Sequence, residues 1–135
     1  MCAGNSCRSQ MAEALVNHLL GDRWEAYSAG VKPEGVNRRA VQVMAELGID
    51  ISTAHSKPVS EFAGRDDIDL AITVCDTGEA CPTFPWAKRQ MHLPFADPAP
   101  FTDQPDEVAL PIFRRTCDEI RTRLVPILRD YCEVQ

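Results

Sequence analysis

The feature that most limits the fold is the stretch "DIDLAITVC" at residues 67–75. It closes on an unbroken apolar run rather than an alternating one, the pattern of a strand buried on both faces. Such a strand needs a layer over each face, and the flanking sequence supplies helices. "SQMAEALVNHLLG" repeats apolar residues at Met11, Ala14, Leu15, Leu19 and Leu20, near the helical period, and stops at Gly21. "RRAVQVMAELG" is a second helix, capped by Asn37 and stopped by Gly48, with Ala40, Val41, Met44 and Leu47 inward. A third runs from about Pro111 to Tyr131, its period marked by Ile112, Arg115, Cys117, Ile120, Leu124 and Leu128. Pro126 should kink or end it. "WEAYSAG" alternates as a short strand, and "KRQMHLPF" gives a last one. Helices alternating with strands predict an α/β fold with a parallel sheet. At 135 residues without a linker or repeat, the whole chain, 1–135, reads as a single domain.

Bulk properties narrow the function. A net charge of −6 with no basic stripe argues against nucleic-acid partners. No apolar run approaches a membrane span, and no signal-peptide pattern opens the sequence. The expected setting is the cytoplasm with reduced thiols, and a monomer is the default. The six cysteines, Cys2, Cys7, Cys75, Cys81, Cys117 and Cys132, then serve as core filler, metal ligands or redox groups.

In parallel sheets, ligands bind beyond the carboxyl ends of the strands. Cys2, Cys75 and Asp97 each follow a strand position, or what should be one, so they converge on one rim. The opening "CAGNSCRS" has the chemistry of an oxyanion cradle. Backbone N–H groups of Ala3, Gly4, Asn5, Ser6, Cys7, Arg8 and Ser9 can turn inward as a nest, and the helix that follows adds its positive end. Arg8 offers a charged planar fork. Gly4 lets the backbone approach the anion, and Asn5 tolerates the left-handed region. Ser9 can donate to a thiolate. Each term favours negative charge, so Cys2 is expected as a thiolate nucleophile at neutral pH. The alternative is a surface turn with a metal-like C-x4-C pair, Cys2 and Cys7. Cys7 is expected to pack the loop, Cys117 to fill the core and Cys132 to be inert near the terminus. A strand histidine, His92, should be half-buried; His18 and His55 should lie on the surface.

"CAGNSCRSQMAEAL" resembles the active-site loop and first helix of the low-molecular-weight tyrosine phosphatase superfamily, and within it the thioredoxin-coupled arsenate reductases. The likeness continues through "YSAG", "NRRAVQVMAELGIDIS", "DLAITVC" and the final helix. It implies a flavodoxin-like sheet of four parallel strands with helices on both faces. In that family an apolar strand leads into the nucleophile. Here only Met1 precedes Cys2, so the first strand is expected to be missing from this chain, as in an N-terminal truncation.

The resemblance also implies roles. Cys2 would attack arsenate, with phosphate or sulfate as competing anions. Cys75 and then Cys81 would relay the electrons as disulfides, and reduced thioredoxin would restore them, with no bound cofactor and no metal. In the phosphatase alternative, Cys2, Arg8 and Asp97 act alone, with Asp97 protonating the leaving group. Three departures stand out. Cys75 and Cys81 have five residues between them, one fewer than in the reductases resembled. Family members that bind potassium do so through Asn, Glu, Ser and Asp; Asn5, Glu13 and Ser28 match, but Lys57 takes the aspartate position and would replace the cation. Gln10 follows Ser9 where the phosphatases usually have proline, and no tyrosine pair follows "DP".

Overall fold

The computed structural model describes residues 1, 5–76 and 84–134, with the backbone alone for 132–134. Three helices dominate: α1 (Arg8–Leu19), α2 (Arg38–Glu46) and α3 (Asp106–Val134). β1 (Leu70–Thr73) and β2 (Arg89–His92) pair in parallel, with Leu70 opposite Arg89 and Thr73 opposite His92. Among the described residues this is the whole sheet, so the parallel α/β class holds with two strands in the ladder.

The helix ends follow from local chemistry. Asn37 Oδ1 accepts from the Arg39 N–H at 2.8 Å, the N-cap of α2. At the other end Gly48 adopts φ +76°, and the Gly48 and Ile49 N–H groups donate back to Ala45 and Met44. That double bond pattern is a Schellman stop, which needs the left-handed region that glycine enters without strain. Gly21 ends α1 for a different reason. A Cβ there would lie 2.4 Å from the Asn17 carbonyl oxygen, so only glycine fits.

One core gathers Met11 and Leu15 of α1, Val43 and Met44 of α2, and Phe113, Cys117, Ile120 and Leu124 of α3, with Val74 and Phe95 from the strand ends. A smaller cluster of Ala29, Phe62, Ala71 and Phe84 covers the other face of β1. There the described residues place a short 3-10 turn, Val59–Phe62, rather than a helix. Leu19 and Leu47, read as inward, are exposed because each lies in the last turn, where the chain leaves the helix for the surface. Val16, Val43 and Phe113 take core places instead.

α3 starts before the expected boundary and runs through both Pro111 and Pro126. Pro126 is on the solvent side, where water can satisfy the carbonyl it leaves unbonded. β1 is shorter than the apolar run, and Leu70 and Ile72 are only half-buried. Residues 24–30 alternate as expected, with Trp24, Ala26 and Ser28 more buried than Glu25 and Tyr27, but form no ladder; their one bridge is Gly30 to Pro58. Between that segment and β1 lies a cavity of about 300 Å³, lined by Trp24, Ser28, Leu70, Ile72 and Leu128 among others. Met1 sits at its rim. The Met1 amino group donates to the Ile72 carbonyl at 2.6 Å, and the Val74 N–H donates to the Met1 carbonyl at 2.8 Å. Those two bonds are the pattern of a parallel bridge between Met1 and Thr73. No helix among the described residues is long and apolar enough to cross a membrane.

Candidate functional site

The described part of the opening loop is organised by Asn5. It is fully buried and adopts φ 49°, a region that asparagine enters more easily than most residues. Its Nδ2 donates to Ser9 Oγ at 2.7 Å. Its Oδ1 accepts from Gln10 Nε2 at 3.0 Å and from the Lys57 N–H at 2.9 Å. Its carbonyl accepts from Ser56 Oγ at 2.6 Å. Gln10 Nε2 also reaches the His55 carbonyl at 3.1 Å. The loop is thereby tied to residues 55–57 at several points. Ser9 accepts from Asn5, so its own hydroxyl hydrogen is directed elsewhere. Ser6 Oγ lies 3.6 Å from Cys7 Sγ, and Cys7 is buried in the main core, the packing role expected of it.

Arg8 leaves the same loop at the start of α1 and is 3% exposed. Its guanidinium donates to the carbonyls of Val74 at 3.4 Å and Phe95 at 3.0 Å. Both residues lie just past the carboxyl ends of β1 and β2. Its other amino group faces Asp97 Oδ2 at 3.7 Å. One cation thus gathers the loop, both strand ends and the Asp97 turn. Asp97 Oδ1 accepts from the Ala99 N–H at 3.0 Å, which aims Oδ2 at Arg8.

Cys75 follows Val74, is fully buried, and is in a disulfide. Its partner lies outside the described residues; Cys7 and Cys117 are reduced thiols. Burial raises the Cys117 pKa to about 11, so at neutral pH it is an inert core thiol packed on Met44. The calls on Cys2, Ala3, Gly4 and Cys81 lie outside the described residues, as does the side chain of Cys132. His92 is exposed rather than half-buried, because the outer face of β2 is open to solvent; its Nδ1 pairs with Thr73 Oγ1 at 2.7 Å.

The four residues compared with a potassium site do converge. Glu13 Oε1 accepts from the Ser28 N–H at 2.9 Å and lies 3.7 Å from Lys57 Nζ. Lys57 Nζ also donates to the His55 carbonyl at 3.2 Å. The Lys57 ammonium thus lies beside the Glu13 carboxylate. Among the described residues no cluster of His, Cys, Asp or Glu could hold a metal.

A family model described as low molecular weight phosphotyrosine protein phosphatase matches residues 1–131. The chain belongs to that family. Within it, two relatives are informative. The chain is 43% identical over 125 residues to an arsenate reductase of Halalkalibacterium halodurans, covering 92% of this chain and 88% of that one. It is 42% identical over 125 residues to an arsenate reductase of Bacillus subtilis, with the same coverage. Among solved structures, an arsenate reductase in a phosphate-binding state superposes with a TM-score of 0.77 at 30% identity, covering 96% of this chain and 93% of that one.

Asn5, Arg8, Ser9 and Asp97 stand out in the sequence, whereas Gln10 and Ser56 do not stand out there as supports of the loop. The signal for Gln10 was its place in the first turn after the loop, where a polar side chain can fold back on the backbone. Ser56 carried none, because its contact spans 51 residues.

Proposed function

We propose that this chain is an arsenate reductase working by a relay of three sulfurs. The Cys2 thiolate attacks arsenic, and one arsenate oxygen leaves as water after taking a proton from Asp97. Cys75 thiolate then attacks the Cys2 sulfur. A Cys2–Cys75 disulfide forms, the sulfur–arsenic bond breaks, and its electron pair stays on arsenic, which leaves as arsenite. Cys81 next attacks Cys75, releasing the Cys2 thiolate and leaving a Cys75–Cys81 disulfide. Restoring two thiols needs an outside two-electron dithiol donor, for which thioredoxin is the proposed partner. The residues around Gly4 and Arg8 hold the oxyanion, so phosphate and sulfate compete. A resting state of reduced thiols suits the cytoplasm, and the chain acts as a monomer.

The observation that carries this reading is Cys75. It is a buried sulfur in a disulfide, one residue beyond a carbonyl held by Arg8. A phosphatase mechanism has no use for a second sulfur at that rim. The names of relatives above 40% identity support the same choice. The test is arsenate-dependent NADPH oxidation with thioredoxin and its reductase. Wild type should turn over, Cys75→Ser should fall to background, and Cys81→Ser should stall after one arsenite as a Cys2–Cys75 disulfide. Phenyl phosphate hydrolysis indifferent to Cys75→Ser, with no arsenite formed, would establish the phosphatase instead.

We further propose that the cavity between residues 24–30 and β1 is a slot that takes an apolar strand, which with residues 24–30 would make the sheet one of four parallel strands. The bridge between Met1 and Thr73 supplies the register, and the cavity beside β1 supplies the room. Extending the chain before Met1 by five β-branched apolar residues should raise the melting temperature. An equally long Gly-Ser extension should not. Equal melting temperatures for the two extensions would refute the slot.

A further inference from the structure

We propose that Asn37 is a positioning residue that keeps Asp97 Oδ2 turned toward Arg8. The inference builds on the reading above only in giving Asp97 a proton to deliver. Asn37 occupies the N-cap of α2, yet its bonds reach well beyond that helix. Its backbone N–H donates to the Ser6 carbonyl of the oxyanion loop at 3.0 Å. Its Oδ1 accepts from the Arg39 N–H. Its Nδ2 donates to Thr102 Oγ1 at 2.8 Å. Thr102 Oγ1 in turn donates to the Ala99 carbonyl at 2.6 Å. The Ala99 N–H donates to Asp97 Oδ1, and Asp97 Oδ2 faces Arg8, two residues from Ser6.

These contacts close a ring: Ser6, Asn37, Thr102, Ala99, Asp97, Arg8 and back along the loop. Ala99 is pinned through both its N–H and its carbonyl, so its peptide planes fix which Asp97 oxygen is engaged. The remaining oxygen is the one beside the guanidinium. Asn37 is the only member that touches the oxyanion loop, α2 and the Asp97 turn together. The turn is also held at the Thr102 carbonyl, which accepts from Arg38 at 3.0 Å and Arg39 at 3.1 Å. Those two bonds anchor the turn to α2 but leave the Thr102 hydroxyl to Asn37. The Ala99 carbonyl also accepts from the Thr102 N–H at 3.1 Å, so loss of the Asn37 amide would loosen the hold on the aspartate without detaching the turn.

Asn37→Asp separates the two functions of the side chain. It keeps an oxygen for the Arg39 N–H and the helix N-terminus, and an acid is favourable there. It removes the donor to Thr102. Thr102→Val breaks the same link from the other side. For both variants, hydrogen exchange at the Ala99 amide should speed up by about tenfold, the size expected from losing one bond of ~1.4 kcal/mol. Exchange at the Arg39 amide should stay unchanged in Asn37→Asp. In arsenate turnover each variant should lower kcat by about tenfold and leave KM within about twofold, an interaction felt only as the proton moves. The double variant should be no slower than either single one, and neither substitution should slow an Asp97→Asn background further. Unchanged Ala99 exchange in Asn37→Asp would overturn the ring. Additive rate losses, or equal losses in the Asp97→Asn background, would overturn the link to Asp97. If wild type makes no arsenite, the reductase reading fails, while Ala99 exchange still decides whether Asn37 orders this turn.

Discussion

The opening loop is flanked by two regions built on opposite terms. On one side, Asn5, Ser9, Gln10, Ser56 and Lys57 form a dense, buried hydrogen-bond cluster with bonds mostly between 2.6 and 3.1 Å. On the other, Arg8 meets Asp97 at 3.7 Å, and the aspartate side chain is 36% exposed. The first arrangement fixes a backbone shape. The second leaves a carboxylate close to a cation but not locked to it, with solvent access for a proton. Under the proposed function, holding an anion and exchanging protons would call for both, and the two lie on separate sides of one loop.

The comparison is broken most severely at Asn5. Asn5→Ala removes a donor to Ser9 and an acceptor for two N–H groups, all within a buried cluster, and puts alanine at φ 49°. Buried groups left without partners cost about 1–3 kcal/mol each, and the left-handed backbone adds about 1–2 kcal/mol. A loss of about 3 kcal/mol or more in urea unfolding is expected, along with loss of phosphate binding. A loss below about 1 kcal/mol would mean that the cluster is not what fixes the loop.

Asp97→Asn tests the other side and should separate rate from stability. A contact at 3.7 Å with a third of the side chain exposed contributes little to folding, within about 0.5 kcal/mol. Loss of a general acid costs about 10²–10⁴-fold in rate. Turnover should therefore collapse while the urea midpoint barely moves. If the midpoint falls as far as for Asn5→Ala, both flanks are scaffold and the division drawn here is wrong.

The same division decided what could be seen in the sequence. The working side was legible because its parts are chemically marked: a cysteine at a strand end, an arginine at a helix start, an aspartate before a proline. Asn5 and Asn37 were legible too, since left-handed backbone and helix caps select a short list of residues. The scaffold's outer half was not. Ser56 and the Lys57 N–H reach Asn5 across more than fifty residues, and nothing in their own neighbourhood marks the contact. Element edges failed for a related reason. Leu19 and Leu47 keep the helical period but fall in terminal turns, where the period no longer says which way a side chain faces. The extent of α3 was missed because two prolines look like breaks, although an exposed carbonyl can be hydrated.

The smallest effect expected is at Lys57, which belongs to the scaffold side by its backbone and to a charge pair by its side chain. Its N–H bond to Asn5 survives any substitution but proline, so Lys57→Met removes only the ammonium, with its contacts to Glu13 and the His55 carbonyl. At 3.7 Å that pair is loose, but both side chains are mostly buried, 12% and 19% exposed, so the carboxylate would be left partly desolvated. A loss of about 1 kcal/mol is expected, with little change in turnover. The informative part is the salt. Wild type should show the same stability in sodium and potassium chloride at equal ionic strength, because an ammonium already lies beside Glu13. Lys57→Met should gain stability from one of the two cations over the other, since the Glu13 carboxylate beside Ser28 would then lack its ammonium. A wild type that prefers potassium would show that the lysine does not fill that role, and Glu13 would then belong with Asp97 among the groups that answer to solution conditions.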